Sequence, residues 1–111
     1  MGTIIGSYTT HNVESNTTLS DAVVSGYAAV LRVLEGGSAV RTEVKTSGRL
    51  EIQGGGKANS ANINADKAEM NILAHGIASN TTVKNGGVLH VSAGGSAINV
   101  NIDKTGTMLG N

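Results

Sequence analysis

The side chains of this sequence that could carry out chemistry are three histidines and eight carboxylates, and cysteine is absent. A metal site needs several ligands that converge on one point, and general acid–base catalysis needs a positioned acid and base. The lack of cysteine excludes thiolate metal sites, thiol nucleophiles and disulfides. The candidates are His11, His75, His90, Glu14, Asp21, Glu35, Glu43, Glu51, Asp66, Glu69 and Asp103.

Glycine pairs are a second feature with possible chemistry, since glycine-rich loops can hold phosphates. Gly36-Gly37, Gly55-Gly56 and Gly94-Gly95 are the examples. A phosphate loop requires a helix with a lysine at its start, and no helical pattern follows any of the pairs. The Gly-Gly-x-Gly-x-Asp repeats that bind calcium are also missing from the sequence. We therefore interpret the pairs as turns that need a positive φ or a close backbone approach.

The elements that must position these residues recur every 19 to 20 residues. One apolar column advances by 19, 20, 19, 20 and 19 residues, and a second by 20, 19, 20, 19 and 19. Insertions fall in turns, because segments 24–31 and 63–70 are each one residue longer than segment 44–50. The columns are Ile5, Val24, Val44, Ile63, Val83 and Ile102, and His11, Leu31, Leu50, Met70, Leu89 and Met108.

Apolar and polar residues alternate within each repeat, as in Leu50-Glu51-Ile52, which is typical of a strand with one buried face. Identical patterns at a fixed period favour parallel stacking, with each coil about 4.8 Å further along an axis. We predict an all-β fold in one domain, 1–111: a right-handed parallel β-helix (β-solenoid) of about five coils. The Gly-Gly-x-Ala segments form either a third strand or a corner. The predicted coils are 1–18, 19–38, 39–57, 58–77, 78–96 and a partial 97–111.

The repeat separates the groups that could do chemistry. The histidines fall in different columns and coils, and no column holds two acids in adjacent coils. Glu69 instead follows Arg49 in its column, and Arg32 lies one coil from Glu51. Opposite charges at such positions stabilise a sheet slightly. We predict no catalytic, metal or cofactor site, and therefore no enzyme.

Two outward polar columns are the candidate interaction face of the predicted solenoid. They either stabilise the stack as ladders or form a hydrogen-bonding face for a partner, with lateral self-association as the main possibility. An ice-binding face is disfavoured, because a regular Thr-x-Thr array is missing. The columns are Arg41, Ser60, Asn80 and Asn99, and Glu43, Asn62, Thr82 and Asn101.

The ends of the predicted solenoid offer a different kind of contact. No amphipathic helix or polar cap follows the last apolar column, and strand edges without partners invite strand addition. The chain is thus either a piece of a longer solenoid or a unit that stacks on something. The alternative function is a structural solenoid that polymerises end to end into filaments. The end-stacking candidates are Ile5, Val13, Ile102 and Met108.

Charge and hydropathy limit the partners. Eight basic and eight acidic residues give a net charge of zero, which argues against broad attraction to nucleic acid. No apolar run approaches the roughly 20 residues of a membrane span, and the start lacks the features of a signal peptide. If the chain is a piece of an exported protein we expect an extracellular location, and if it is complete a cytoplasmic one.

The repeat itself resembles a known family. Residues 79–97, Ser-Asn-Thr-Thr-Val-Lys-Asn-Gly-Gly-Val-Leu-His-Val-Ser-Ala-Gly-Gly-Ser-Ala, are similar to the 19-residue repeat of AIDA-type self-associating autotransporter adhesins, and segments 36–42 and 55–60 resemble it more loosely. The resemblance covers roughly 20–109. It implies a right-handed β-helical passenger on a bacterial surface that adheres and aggregates through lateral contacts, with itself or a host or cell-surface glycan or protein as partner. It also implies possible O-linked heptose on residues such as Ser38, Ser79, Thr82 and Ser96.

Overall fold

The chain winds into a solenoid with three parallel sheets, one strand of each sheet in each full coil. The structure is a computed structural model that describes residues 3–103 and 105–110. These residues form two six-stranded sheets and one five-stranded sheet, and they contain no helix. The predicted all-β parallel solenoid is confirmed, with about six turns rather than five. The right-handed coiling stays a prediction.

Sheet 1 is built from the short strands that carry the first apolar column. The strands pair in parallel, so that Ile63 stands next to Val44 on one side and Val83 on the other. The predicted column is therefore a physical ladder. The strands are β1 (Ile4–Ile5), β4 (Val23–Val24), β7 (Glu43–Val44), β10 (Asn62–Asn64), β13 (Thr82–Lys84) and β16 (Asn101–Ile102).

Sheet 2 contains the longest strands and carries the second apolar column. Met70 pairs with Leu50 and Leu89, and Ile72 pairs with Ile52 and Val91. Two inward residues per strand make this sheet the main source of core side chains. The strands are β2 (Thr10–Val13), β5 (Val30–Val33), β8 (Arg49–Ile52), β11 (Glu69–Ile72), β14 (Val88–Val91) and β17 (Thr107–Gly110).

Sheet 3 resolves the question of the Gly-Gly-x-Ala segments, which form a third strand. Each strand turns one side chain toward the core, Leu19 in the first strand and alanine in the other four, and Ala58 pairs with Ala39 on one side and Ala78 on the other. The strands are β3 (Thr18–Ser20), β6 (Ser38–Val40), β9 (Lys57–Asn59), β12 (Ile77–Ser79) and β15 (Ser96–Ile98).

The core is one continuous cluster of aliphatic side chains. Leu31, Leu50, Met70 and Leu89 are fully buried, one above the other. No coil encloses these side chains by itself, so most of the burial comes from contacts between neighbouring coils. Stability is therefore distributed along the stack rather than concentrated in one place.

Three corners join the sheets, and each corner is made by a residue with positive φ. Left-handed backbone conformations reverse the chain in few residues, which suits Gly and Asn but strains other residues. Corner 1–2, between sheets 1 and 2, contains Tyr8, Ala28, Ser47, Lys67, and Asn85 with Gly86. Corner 2–3, between sheets 2 and 3, contains Asn16, Gly36, Gly55, His75 and Gly94. Corner 3–1, between sheets 3 and 1, contains Asp21, Arg41, Ser60, Asn80 and Asn99.

The two ends of the described chain differ in what they expose. Ile102 and Met108, two predicted end-stacking residues, are 37% and 43% exposed. The other two, Ile5 and Val13, are each 1% exposed. Their side chains pack in the core cluster, and end stacking at Ile5 and Val13 stays a prediction. No helix of the described part is long and apolar enough to cross a membrane.

Candidate interaction face

The two predicted polar columns lie side by side along one edge of the solenoid. Glu43, Asn62, Thr82 and Asn101 are paired neighbours on the outer side of sheet 1. The other column occupies corner 3–1, immediately before those strands, and its four residues are exposed. Together they form a polar strip, which we call the polar edge, made of Arg41, Ser60, Asn80, Asn99, Glu43, Asn62, Thr82 and Asn101.

Asparagine side chains link successive coils at corner 3–1. Asn99 Nδ2 donates to Asn80 Oδ1 at 3.4 Å, and Asn80 Nδ2 donates to Asn59 Oδ1 at 3.2 Å. Ser60 Oγ also donates to Asn59 Oδ1, at 3.3 Å. These bonds are solvent-exposed and contribute little each to stability. The amides keep further donor and acceptor capacity that a partner could use.

The outer side of sheet 1 continues this network. Asn64 Nδ2 donates to Glu43 Oε2 at 3.2 Å, and Asn85 Nδ2 donates to Asn64 Oδ1. Asn62 Oδ1 is buried and has no hydrogen-bond partner among the described residues. A buried amide oxygen without a partner costs free energy, so this position is a weak point of the stack.

An ion pair anchors one end of the polar edge. Arg41 donates from Nε to Asp21 Oδ1 at 2.8 Å and from its terminal nitrogen to Asp21 Oδ2 at 3.2 Å. The hydrogen bond from Arg41 is the main cause that lowers the pKa of the Asp21 carboxyl below its usual value; burial opposes it, and the charge of the guanidinium adds a smaller lowering effect. The same contact raises the pKa of Arg41. Because the pair is exposed to solvent, it helps to align neighbouring coils more than it stabilises the fold.

The remaining charged groups form pairs between coils rather than a reaction centre. Arg32 Nε lies 2.7 Å from Glu51 Oε1, and Arg49 Nε lies 3.0 Å from Glu69 Oε1, at the positions that the sequence predicts. His90 faces outward with Nε2 4.0 Å from Glu69 Oε2. Within residues 3–103 and 105–110, no group of three or more potential ligands could hold a metal ion.

Sequence reasoning missed one surface feature, a groove of about 460 Å³ at corner 1–2. It crosses three coils, and both tyrosines of the chain stand beside one end of it, with ring centroids 5.7 Å apart. The signal was present in the sequence, because the two longer turns flank the shorter turn that forms the floor. The lining residues are Tyr27, Ala28, Ala29, Val30, Ser47, Arg49, Lys67 and Glu69.

Comparison with known proteins confirms the resemblance of the repeats. Residues 72–111 match the AIDA family, described as "Adhesin of bacterial autotransporter system, probable stalk". Among solved structures, the fold is similar to that of a TibC-catalyzed hyper-glycosylated TibA55-350 fragment, with a TM-score of 0.60 and 24% sequence identity. The match covers 99% of this chain and 46% of that one, so this chain spans less than half of the fragment. No curated protein sequence gives a significant match.

Proposed function

We propose that this chain is a non-catalytic self-association module from the passenger of an autotransporter-type adhesin, exposed at a bacterial cell surface. The observation that carries the proposal is the match of residues 72–111 to an adhesin stalk family. The same parallel sheets contain described strands from Ile4 to Gly110, so the matched coils and the remaining ones form one stack. A regular stack of this kind acts as a stalk and as a surface of repeated contacts.

The polar edge is the face through which two copies associate. It presents polar side chains in two columns in successive coils, spaced by about 4.8 Å, so two copies side by side place one ladder against the other. Asn80 and Asn99 donate and accept at once, which makes the face complementary to itself, as a two-fold dimer requires. Each contact is weak, and several in register add to useful affinity.

The charge arrangement supports a binding module over an enzyme. Glu51 and Glu69 are each bound by an arginine of a neighbouring coil. A general acid or base must be able to contact a substrate, and each of these carboxylates already contacts an arginine. The face therefore supplies hydrogen bonds and shape rather than reaction chemistry.

Glycan attachment is a further part of this proposal. The similar TibA fragment is hyper-glycosylated, and an acceptor hydroxyl must be accessible to a transferase. Of the four candidates, Ser96 is exposed, while Ser38, Ser79 and Thr82 are half-buried on their strands. We therefore expect Ser96 to be modified before the others, and intact-mass spectrometry after coexpression with a heptosyltransferase measures that order.

Sedimentation of the purified chain at increasing concentration tests lateral association. Thr82→Lys places a new charge in the polar edge, and in a two-fold contact like charges then oppose each other. Asn71→Lys is the matched control, because Asn71 is also half-buried on an outer strand face, but on sheet 2. We expect a dimer for the wild type and the control, and association weakened at least about tenfold for Thr82→Lys.

Two outcomes would contradict this assignment. A wild-type chain that stays monomeric up to about 1 mM has no useful self-affinity. Equal weakening by Thr82→Lys and Asn71→Lys places the contact elsewhere than the polar edge.

End-to-end stacking is the second candidate, and the exposed end side chains favour it. Ile102 and Met108 are partly exposed and lie in strands β16 and β17, whose outer edges have no partner among the described residues. This mode predicts filaments of constant width in electron micrographs, and Met108→Lys abolishes them. Lateral association predicts instead that Met108→Lys leaves the dimer unchanged.

A further inference from the structure

Corner 1–2 contains a trough that results from turns of unequal length. Counted from the first apolar column to the second, the connection of the third coil (44–50) is one residue shorter than the connections of the second (24–31) and fourth (63–70) coils on either side. Ser47 at the short turn therefore lies between two higher rims, formed by Tyr27 and Ala28 on one side and by Lys67 on the other. The trough is a consequence of sequence length and does not depend on one side-chain rotamer.

The residue after each corner shows that this length difference is built into the backbone. In the two longer turns this residue is Ala29 or Ala68, and both are buried. In the short turn between them it is Gly48, where a Cβ atom would lie 2.5 Å from the Val24 carbonyl oxygen. The extra residue of the longer turns thus creates room for a methyl group, while the backbone of the short turn packs directly against the preceding coil. This contact keeps the floor of the trough close to the solenoid axis.

Both aromatic side chains of the chain stand beside this trough and are exposed to solvent. Tyr8 and Tyr27 are 79% and 69% exposed, and the two rings meet edge to face at an interplanar angle of 70°. The edge contact with Tyr8 holds the Tyr27 ring beside the groove. Exposed, oriented rings are the usual means by which proteins bind the apolar faces of ligands that also carry polar groups.

The charges of the trough are unbalanced toward positive. Arg49 uses its Nε for Glu69, which leaves its terminal nitrogens without a hydrogen-bond partner in the described chain. Lys67 forms no ion pair with any described residue. Asp66, the neighbour of Lys67, turns away toward the next coil, where it approaches Gly86. The ammonium group of Lys67, which has no ion-pair partner among the described residues, therefore lies across the groove from the ring of Tyr27.

We propose that this trough binds a saccharide whose sugar rings carry carboxylates. Tyr27 takes the C–H face of one ring, Lys67 and the free nitrogens of Arg49 take a carboxylate, and Ser47 and Glu69 bind hydroxyls. The volume of about 460 Å³ is within the range of small-ligand sites. The site lies at corner 1–2, away from the polar edge, so it is independent of the proposed self-association.

Titration of the full chain with trigalacturonate tests the proposal, and its neutral trimethyl ester is the matched probe. Amide chemical shifts report the site, since only the trough should respond. We expect saturable binding of trigalacturonate, with shifts centred on Tyr27, Ser47 and Lys67, and affinity for the ester lower by about tenfold or more. No saturable binding below about 10 mM, or equal affinity for both probes, overturns the proposal.

Two substitutions and one control locate the binding. Tyr27→Ala removes the ring and Lys67→Gln removes the charge, and each should lower affinity for trigalacturonate about tenfold. Lys57→Gln, at an exposed lysine on sheet 3, should leave it unchanged. If Tyr27→Ala binds as the wild type does, the trough is not the site.

A change of turn length tests the geometric part. Insertion of one serine after Thr46 gives the third coil the same turn length as its neighbours and raises the floor. We expect binding to be lost while the circular dichroism and the self-association remain as in the wild type. Retained affinity in this folded variant shows that unequal turns do not create the site. If the insertion prevents folding, the affinity of Tyr27→Ala decides whether the trough is the binding site.

Discussion

Corner 2–3 and corner 1–2 perform the same structural task in different ways. At corner 2–3 the connection has one length in every coil, and three of its five corner residues are glycine. At corner 1–2 the connection between the two apolar columns varies by one residue, and the corner residues include Tyr8, Ala28, Ser47 and Lys67. Both corners are followed by strands in the same parallel register. Stacking of the coils thus constrains the position and register of the strands, but it allows the length of corner 1–2 to vary.

This difference shows where such a solenoid can change its surface. Inward residues and the constant corners are held by contacts on both sides, so an added atom meets a neighbouring coil. Corner 1–2 projects outward and accepts an extra residue without moving Val24 or Leu31 out of their columns. Its rims hold both tyrosines and an unpaired lysine, which are the groups that the constant corners lack.

The largest expected effect comes from breaking the interior that both corners share. Leu50 is fully buried between Leu31 and Met70, so Leu50→Asp buries a carboxylate with no counter-charge in two coil interfaces. We expect a loss of about 5 kcal/mol or more, enough to unfold a domain of this size. Thermal melts followed by circular dichroism measure this loss.

Lys57→Asp is the control for that change, because it introduces the same side chain at an exposed position of sheet 3. It should change the free energy of unfolding by less than about 0.5 kcal/mol. A folded Leu50→Asp with a near-normal melt would show that the coils do not depend on each other.

The difference in turn length is tested directly by Gly48→Ala. The new Cβ would lie 2.5 Å from the Val24 oxygen, so backbone must shift, and we expect a loss of about 2–3 kcal/mol in urea unfolding. Adding one residue after Thr46 to the same variant should restore most of it, because the longer turns tolerate Ala29 and Ala68. If the insertion gives no recovery, the length of the turn is not what makes room for alanine.

A smaller change in the free energy of unfolding, this time an increase, is expected inside corner 3–1. The hydroxyls of Thr42 and Thr81 are buried and have no partner among the described residues, so each position carries an uncompensated polar group. Thr81→Val keeps the shape and removes the hydroxyl, and should stabilise the chain by about 1 kcal/mol. Thr46→Val, at an exposed turn, is the comparison and should be close to neutral. A destabilised Thr81→Val would mean that the hydroxyl is satisfied in solution.

The smallest effect concerns the ion pair at corner 3–1 and depends on pH. Because the Asp21 pKa is lowered in the folded chain, its contribution is present above its ordinary value of 3.8 and is lost as pH falls through the folded pKa. Asp21→Asn should therefore be slightly less stable than the wild type at pH 6 and equal to it in strong acid. Added salt should shrink the difference at pH 6. Urea midpoints at both pH values and two salt concentrations measure this.

Asp103 gives the matching case at corner 1–2. The Thr105 backbone N–H and then its hydroxyl donate to the Asp103 carboxylate, at 2.9 and 2.8 Å, and lower its pKa. The pKa shift of Asp103 has the same direction as that of Asp21, but its cause is mainly hydrogen bonding within the turn. Asp103→Asn should show a difference at pH 6 that depends less on salt, and a strong salt dependence would contradict this cause.

The repeated interior was predictable from the sequence because its periodicity is physical. Leu50, Met70 and Leu89 recur at the interval of one coil, and a one-residue slip would turn each of them to solvent. The pairs Arg32–Glu51 and Arg49–Glu69 followed from the same register. Spacing alone therefore specified the two apolar ladders and the charge pairs, while the third sheet stayed open.

Features that depend on three dimensions at once were not predictable. The positive φ of Arg41 and Ser60 has no signal in residue type, since both usually avoid that conformation. The groove at corner 1–2 needed the relative height of three turns, although both insertions were visible in the sequence.

Residue-resolved amide shifts of the wild-type chain, recorded over a range of protein concentrations, test the central claim most directly. Self-association through the polar edge predicts shifts that grow with concentration at Asn80, Thr82 and Asn99, while Tyr27 and Lys67 at corner 1–2 stay unchanged. Concentration-dependent shifts confined to Ile102 and Met108, or spread evenly over all three sheets, would contradict it.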